Sequence, residues 1–239
     1  MSTIKSFILG MLIMMVGMGA ALASYSVQPL SKADAKAYAK IEKYVIEAES
    51  LTGESAELVS AVLLKESRFG QNTINPHSNV KGAMQYTNRQ WRNDVQLHAK
   101  RLGLSAKSSV HDKRANILIG AAGLAENRSY LERKTKRAVS DGDVYMSWFV
   151  GLYGAEKILK GNDNAKISKY VKLTKGNWNM YTVNGKVATV KQFRNKMNQL
   201  VNNNKKKVSY LVNQSKMDNL IFKLQVGNTH ARTETAMLF

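Results

Sequence analysis

Glu66, Ser67, Arg68 and Phe69 stand together at the end of an apolar run, and a polar loop follows at once. The carboxyl of Glu66 falls at helical spacing from Val59, Val62 and Leu63, so all four share one face if the run is helical. A carboxyl among apolar side chains is harder to ionise than one in water, and its pKa rises. An acid that keeps its proton near neutrality can give it to a leaving oxygen, the first requirement of acid–base cleavage at a glycosidic bond. The plainer reading is a solvated, inert glutamate at a helix edge, and the rest of the chain has to decide.

The elements that must position this residue read as helices. Ser31 can cap a helix to Ser50 whose stripe is Ala33, Ala37, Ile41, Tyr44, Val45 and Ala48. Gly53 interrupts, Ser55 can cap a second helix through Phe69, and Gly70 stops it. Gln71 to Lys81 is a polar loop, and helical pattern resumes from Asn88 to Arg101. Asp112 to Leu131 is apolar on more than one side, and Asp143 to Lys160 carries a further helix interrupted near Gly151 and Gly154. After Lys160 the composition shifts. "GNDNAK" is linker-like, Tyr181 to Val190 predicts a hairpin around Asn184-Gly185, and Lys191 to Asn213 a basic, Asn-rich helix that frays from about Gly227. With 2 prolines and few alternating strands, the expected class is mainly α, with its well-patterned core between Ser31 and Lys160.

Several segments then recur in a familiar order. Glu66-Ser67-Arg68-Phe69 is followed by Ser78-Asn79-Val80-Lys81-Gly82-Ala83-Met84-Gln85, then by Tyr86-Thr87 and Trp91. Asp112, Ala115, Ala121 and Glu126-Asn127 come next, and Tyr145-Met146-Ser147-Trp148-Phe149-Val150-Gly151-Leu152-Tyr153-Gly154-Ala155 closes the series. From Leu51 to Lys160 the chain resembles the lysozyme-like lytic transglycosylases of the soluble lytic transglycosylase type, in their phage- and flagella-associated branch. Trp148 departs from that branch, which often has His there. The resemblance implies a lysozyme-like catalytic domain over 31–175, followed by a small basic C-terminal extension over 176–239.

It also implies a reaction. One glutamate, here Glu66, protonates the oxygen between MurNAc and GlcNAc and then serves as base while the MurNAc C6 hydroxyl attacks its own C1. The product is a 1,6-anhydro sugar, and the tethered nucleophile needs no second carboxylate to activate it. Gln71 to Asn93 contains no acidic residue, and Asp94 and Asp112 are the carboxylates left for a hydrolytic muramidase, the alternative on the same fold. A wall-binding or structural protein without turnover is the reading from another class. The resemblance makes Tyr145 the tyrosine that supports the acid, with Tyr153 second. It sets Ser67, Ser78, Gly82, Met84, Gln85, Tyr86, Asn127 and Trp148 against the sugar, although Met84, like Trp91 and Phe149, also reads as core. Gln85 would meet an acetamido group, Gly82 would let the sugar approach, and Tyr86 and Trp148 would stack on pyranose rings. His77 and His111 have no second ligand at helical spacing, so neither metal nor cofactor is expected.

Composition narrows the setting. A net charge of +19 over 239 residues calls for an acidic partner. No nucleic-acid-binding motif is present, and Lys205-Lys206-Lys207 is the one tight basic cluster, so peptidoglycan strands and an anionic envelope surface are expected instead of nucleic acid. Lys5, the apolar run from Phe7 to Met18 and Ala21-Leu22-Ala23 make residues 1–23 a signal peptide or a signal anchor. Either places the body outside the cytoplasm, in the periplasm or secreted, released or tethered to the inner membrane. The absence of cysteine excludes disulfides and thiolate metal sites.

Overall fold

The computed structural model describes residues 29–74 and 79–236. The N-terminal apolar segment, His77 and Ser78 lie outside them. The fold is mainly α. Ser31 caps α1 (Lys32–Ala39) by accepting from the Asp34 N–H, and the chain turns at Lys40-Ile41 into α2 (Glu42–Thr52), so the expected first helix is broken in two. Gly53, left-handed at φ 73°, closes α2, and the Ser55 hydroxyl caps α3 (Ala56–Ser67). A short antiparallel hairpin follows, β1 (Val80–Lys81) with β2 (Tyr86–Thr87), in the register Val80 to Thr87 and Lys81 to Tyr86. It was not apparent in the polar pattern, because two-residue strands show no alternation.

Thr87 caps α4 (Asn88–His98), and Asp112 caps α5 (Lys113–Thr135). The 23-residue α5 is buried on most sides, with Ile117, Leu118, Ile119, Ala121, Ala122 and Leu124 all at 0% exposure. Its uniform apolarity follows from a central position in the bundle. A reciprocal capping box of Ser140 and Asp143 opens α6 (Asp141–Val150). Gly151 breaks the helix, and α7 (Leu152–Leu159) continues beyond it with Gly154 inside. The short α8 (Trp178–Tyr181) leads into the hairpin of β3 (Thr182–Val183) and β4 (Lys186–Val187), whose Asn184-Gly185 turn has both residues at positive φ, as the sequence predicts.

The 47-residue α9 (Val190–Ala236) extends well past the expected end at Asn213 and past Gly227. The expected core limit at Lys160 is also exceeded. Val190, Phe193, Met197, Val201, Val208 and Val212 recur at helical spacing and are buried in the same cluster as α3 and α6. Asn204 Nδ2 donates to the Ala61 carbonyl of α3 at 3.2 Å. Where α9 passes the start of α6, a Cβ on Gly142 would lie 2.6 Å from the Asn198 backbone nitrogen, so only glycine allows the approach. The basic residues of α9 seal this seam. Arg194 pairs with Asp143 at 3.0 Å, Lys205 with Asp141, and Lys216 with Glu49 and Glu57 at 2.9 and 3.1 Å. Residues 190–212 therefore form the back wall of the helices that carry the site. Among the described residues no helix is long and apolar enough to cross a membrane.

Candidate active site

Glu66 sits in the last turn of α3, with Val59, Val62 and Leu63 of the same helix fully buried beneath it. The way α3 ends holds the carboxyl in place. Arg68, Phe69 and Gly70 are three successive left-handed residues, at φ 52°, 61° and 79°. Two of them carry side chains, a conformation costing on the order of 1–3 kcal/mol each, which the surroundings must offset. Arg68 does so through Asp34, with Nε to Oδ1 at 3.0 Å and Nη2 to Oδ2 at 3.1 Å. Phe69 is buried edge-on against Tyr38, with ring centroids 5.4 Å apart. The buried Ser67 hydroxyl accepts from the Gly70 N–H at 2.7 Å. Ser67 and Phe69 thus shape the turn beside the acid. Ser67 was expected to face the sugar; its hydroxyl instead bonds backbone, and Ser67 is 1% exposed.

Tyr145 of α6 donates its hydroxyl hydrogen to Glu66 Oε1 at 2.9 Å. The ring is 1% exposed, so α6 delivers a fixed donor to the acid. Burial pushes the Glu66 carboxyl above the usual carboxylate range, while the Tyr145 hydrogen bond and Lys65 draw it part of the way back. Burial and the adjacent glutamate together hold the Tyr145 phenol protonated, well above its ordinary value. Tyr153, the second candidate for this place, is 71% exposed and packs on Tyr130 instead.

Trp148, one turn after Tyr145, joins the hairpin to this corner. Its indole N–H donates to the Met84 carbonyl at 3.3 Å, and its ring meets Tyr86 edge-on at 5.1 Å. The turn between β1 and β2 is anchored from behind by Asn116 of α5. Asn116 accepts from the Met84 N–H at 2.8 Å and donates to the Val110 carbonyl at 2.9 Å. This residue went unnoticed in the sequence; a lone amide inside the apolar run Ala115 to Leu118 is the signal that points to it. Gly82 is needed here for a reason other than sugar access. At φ 77° a Cβ would lie 2.3 Å from Asn116 Nδ2 and 2.5 Å from the Val110 oxygen, so the missing side chain admits α5. Met84 is fully buried against Gly120, and only its backbone serves the site.

Gln85, left-handed at φ 54°, spends its Nε2 on the Asn72 and Gly82 carbonyls at 3.2 and 2.9 Å, which holds its Oε1 as the acceptor. Tyr86 is buried and cannot stack on a sugar; its hydroxyl faces Asp94 without a hydrogen bond of regular geometry. Asp94 of α4 is half-buried, and desolvation raises its pKa to about 6, against the Tyr86 hydroxyl, which lowers it, with Glu126 adding repulsion. Asp112 is occupied as the cap of α5, its Oδ1 accepting from Ala115 N–H at 2.9 Å. Asn127 is half-buried on α5, beyond Gly123. Of the residues expected to meet substrate, Glu66, Gln85, Asn127 and Trp148 are partly exposed, Tyr145 reaches Glu66 from the core, and Ser67, Gly82, Met84 and Tyr86 are buried. Among the described residues no group of three metal-ligating side chains occurs. The chain matches no known protein-family model, and no curated protein matches it either.

Proposed function

We propose that this helical body is a lysozyme-like domain and that it cleaves the β-1,4 bond between MurNAc and GlcNAc in peptidoglycan as a lytic transglycosylase. The observation that carries the reading is the pair of Glu66 and Tyr145 at 2.9 Å in a desolvated corner. Glu66, whose carboxyl burial makes harder to ionise, donates to the glycosidic oxygen as the bond breaks. The resulting carboxylate is stabilised by the Tyr145 hydroxyl, which already points at Oε1. That carboxylate then takes the proton from the MurNAc C6 hydroxyl as it attacks C1, which closes the anhydro ring and restores the acid. No water is consumed, and the nucleophile arrives with the substrate.

The setting follows the same reading. A chain carrying +19 is drawn to a polyanionic envelope, and export through the N-terminal segment would bring it there, for phage-encoded lysis or for bacterial wall remodelling. Asp94 favours a second reading, the hydrolytic muramidase, because it is a half-buried carboxyl near Trp148 with a pKa of about 6. Mass spectrometry of muropeptides released from purified sacculi in ¹⁸O-labelled water separates the two. Unlabelled, non-reducible anhydro ends are expected. Labelled, reducible MurNAc ends would establish the hydrolase and make Asp94 the residue that activates water. Intact sacculi would leave the wall-binding reading.

A further inference from the structure

The outer side of α9 is apolar where a surface helix ordinarily turns polar residues to water. Val208, Val212 and Ser215 mark the side that faces the body, and all three are buried. Ser215 and Lys216 fix that side to Glu42, Glu49 and Glu57. Tyr210, Met217, Leu220 and Ile221 stand at helical spacing on the side opposite Ser215. Phe222 flanks them and lines a groove over α2 together with Ile46 and Leu51. These five side chains of α9 are between 46% and 74% exposed, and Leu51 is exposed with them. Among the described residues, ten large apolar side chains are exposed, and six of the ten are gathered here. Single exposed apolar residues are ordinary, whereas a contiguous patch marks a contact surface.

The charges around the patch select what covers it. From Lys206 to Lys223 the chain carries four lysines against the single acid Asp218. Lys216 is spent on the body, while Lys206, Lys207 and Lys223 make no ion pair among the described residues. Lys206 is exposed one turn before Tyr210, and Lys223 is exposed beside Phe222. On the facing helix α2, Glu42 and Glu47 are taken by Ser215 and Arg114. Two copies joined along this stripe would set one lysine-bearing rim against another. Asn213 and Gln214 also interrupt the stripe where a helix–helix seam would continue it. An anionic bilayer has neither conflict. Its acyl region accepts Met217, Leu220 and Ile221, its headgroups meet the lysines, and Tyr210 suits the boundary between the two. The helix is not apolar enough to cross a membrane, so it would lie along one.

We propose that the outer stripe of α9 is a docking surface for anionic phospholipid bilayers, with the helix in the plane of the interface and the body above it. The proposal stands whether or not Glu66 cleaves glycan. The chain has no cysteine, so one introduced thiol labels the full-length protein at a single place. Met217→Cys, and separately Leu97→Cys on the exposed side of α4, carry an environment-sensitive NBD label. Each is mixed with phosphatidylcholine vesicles with and without phosphatidylglycerol. At position 217 the emission should rise, shift to the blue and be quenched by spin-labelled acyl chains. The response should require phosphatidylglycerol and weaken with salt, while the label at position 97 stays in water. Adding Leu220→Ser and Ile221→Ser should raise the lipid concentration at half-response at least about 10-fold. Both residues are exposed, so thermal melting should not change. Three results would overturn the proposal. One is vesicle flotation with position 217 still in water, which leaves the N-terminal segment as the only attachment. Another is an equal response at both positions. The third is a spectral change that grows with protein concentration in the absence of vesicles, which would put a second copy on the stripe.

Discussion

The proposed catalytic corner and the α9 seam treat their carboxylates in opposite ways. At the corner, Glu66 and Asp94 are desolvated without a cation in contact, and both are pushed up. Along the seam, Asp141 and Asp143 are also desolvated, but Lys205, Arg128 and Arg194 outweigh that effect and both are held down. Burial is common to the two regions, so the partner decides the sign. The difference separates a region whose carboxylates are left without a cation from one whose ion pairs hold the body together. It also changes how the charge of the chain is understood. Arg194, Lys205 and Lys216 are engaged by acidic groups of the body and are not available to bind a wall.

The largest effect should come from removing the seam. A chain ending at Lys175 loses Val190, Phe193, Met197, Val201, Val208 and Val212 from the core. At roughly 1.5–3 kcal/mol for each fully buried side chain, that is comparable to the whole 5–15 kcal/mol that holds a typical domain folded. The shortened chain should show no cooperative thermal transition by circular dichroism. A sharp transition and retained turnover would mean that the two regions are independent after all.

The corner is probed next with Glu66→Gln, which keeps shape and removes the transferable proton. Acid–base catalysis contributes roughly 100- to 10,000-fold, so clearing of sacculi should fall by that order with binding unchanged. Parental clearing would place the acid elsewhere. Tyr145→Phe should have a smaller effect. It removes the hydrogen bond that favours the ionised carboxylate, so the Glu66 pKa moves further up. The pH–rate profile for kcat should shift to higher pH, with a loss on the order of 10-fold for one hydrogen bond to a charged group. An unshifted profile would mean that Tyr145 only packs.

The smallest effect sharpens the contrast in sign. Asp94 binds its proton more tightly folded, at about 6, than unfolded, near the ordinary value of 3.8. Its stabilising contribution is complete below the unfolded value and is lost as pH rises through about 6. Asp94→Asn should therefore raise Tm at pH 7 and change it little at pH 4. Asp141 and Asp143 bind protons less tightly folded, so their contribution is present above the unfolded value and disappears as pH falls through the lower folded ones. Asp143→Asn should lower Tm at pH 7, the reverse of Asp94→Asn. The same sign for both would erase the distinction between the regions.

How much of this was legible depended on whether the signal was local. The caps Ser31 and Ser55, the Asn184-Gly185 turn and the face that places Glu66 over Val59, Val62 and Leu63 all arise within a few residues, and the sequence predicts each. Tyr145 was chosen over Tyr153 from a motif, and 79 residues separate it from the acid it touches. The inward turn of Ser67, Gly82 and Met84 could not be anticipated, because each is set by a neighbour that only the fold supplies: the left-handed turn, Asn116 and Gly120. The Asn-rich composition of 191–213 concealed a buried stripe of five apolar residues among polar ones, since hydropathy averaged over that window hides a single face.

The contact between Asn204 and Ala61 spans 143 residues of chain. Pairings this distant close late, because a long loop must be ordered before any contact rewards it. The helix that carries Tyr145 lacks its back wall until that closure occurs. On the proposed reading, a folding chain therefore holds Glu66 before the wall behind Tyr145 is in place, and the Glu66–Tyr145 pair is completed late. In refolding, activity should appear together with docking of α9 and not with the earlier gain of helix.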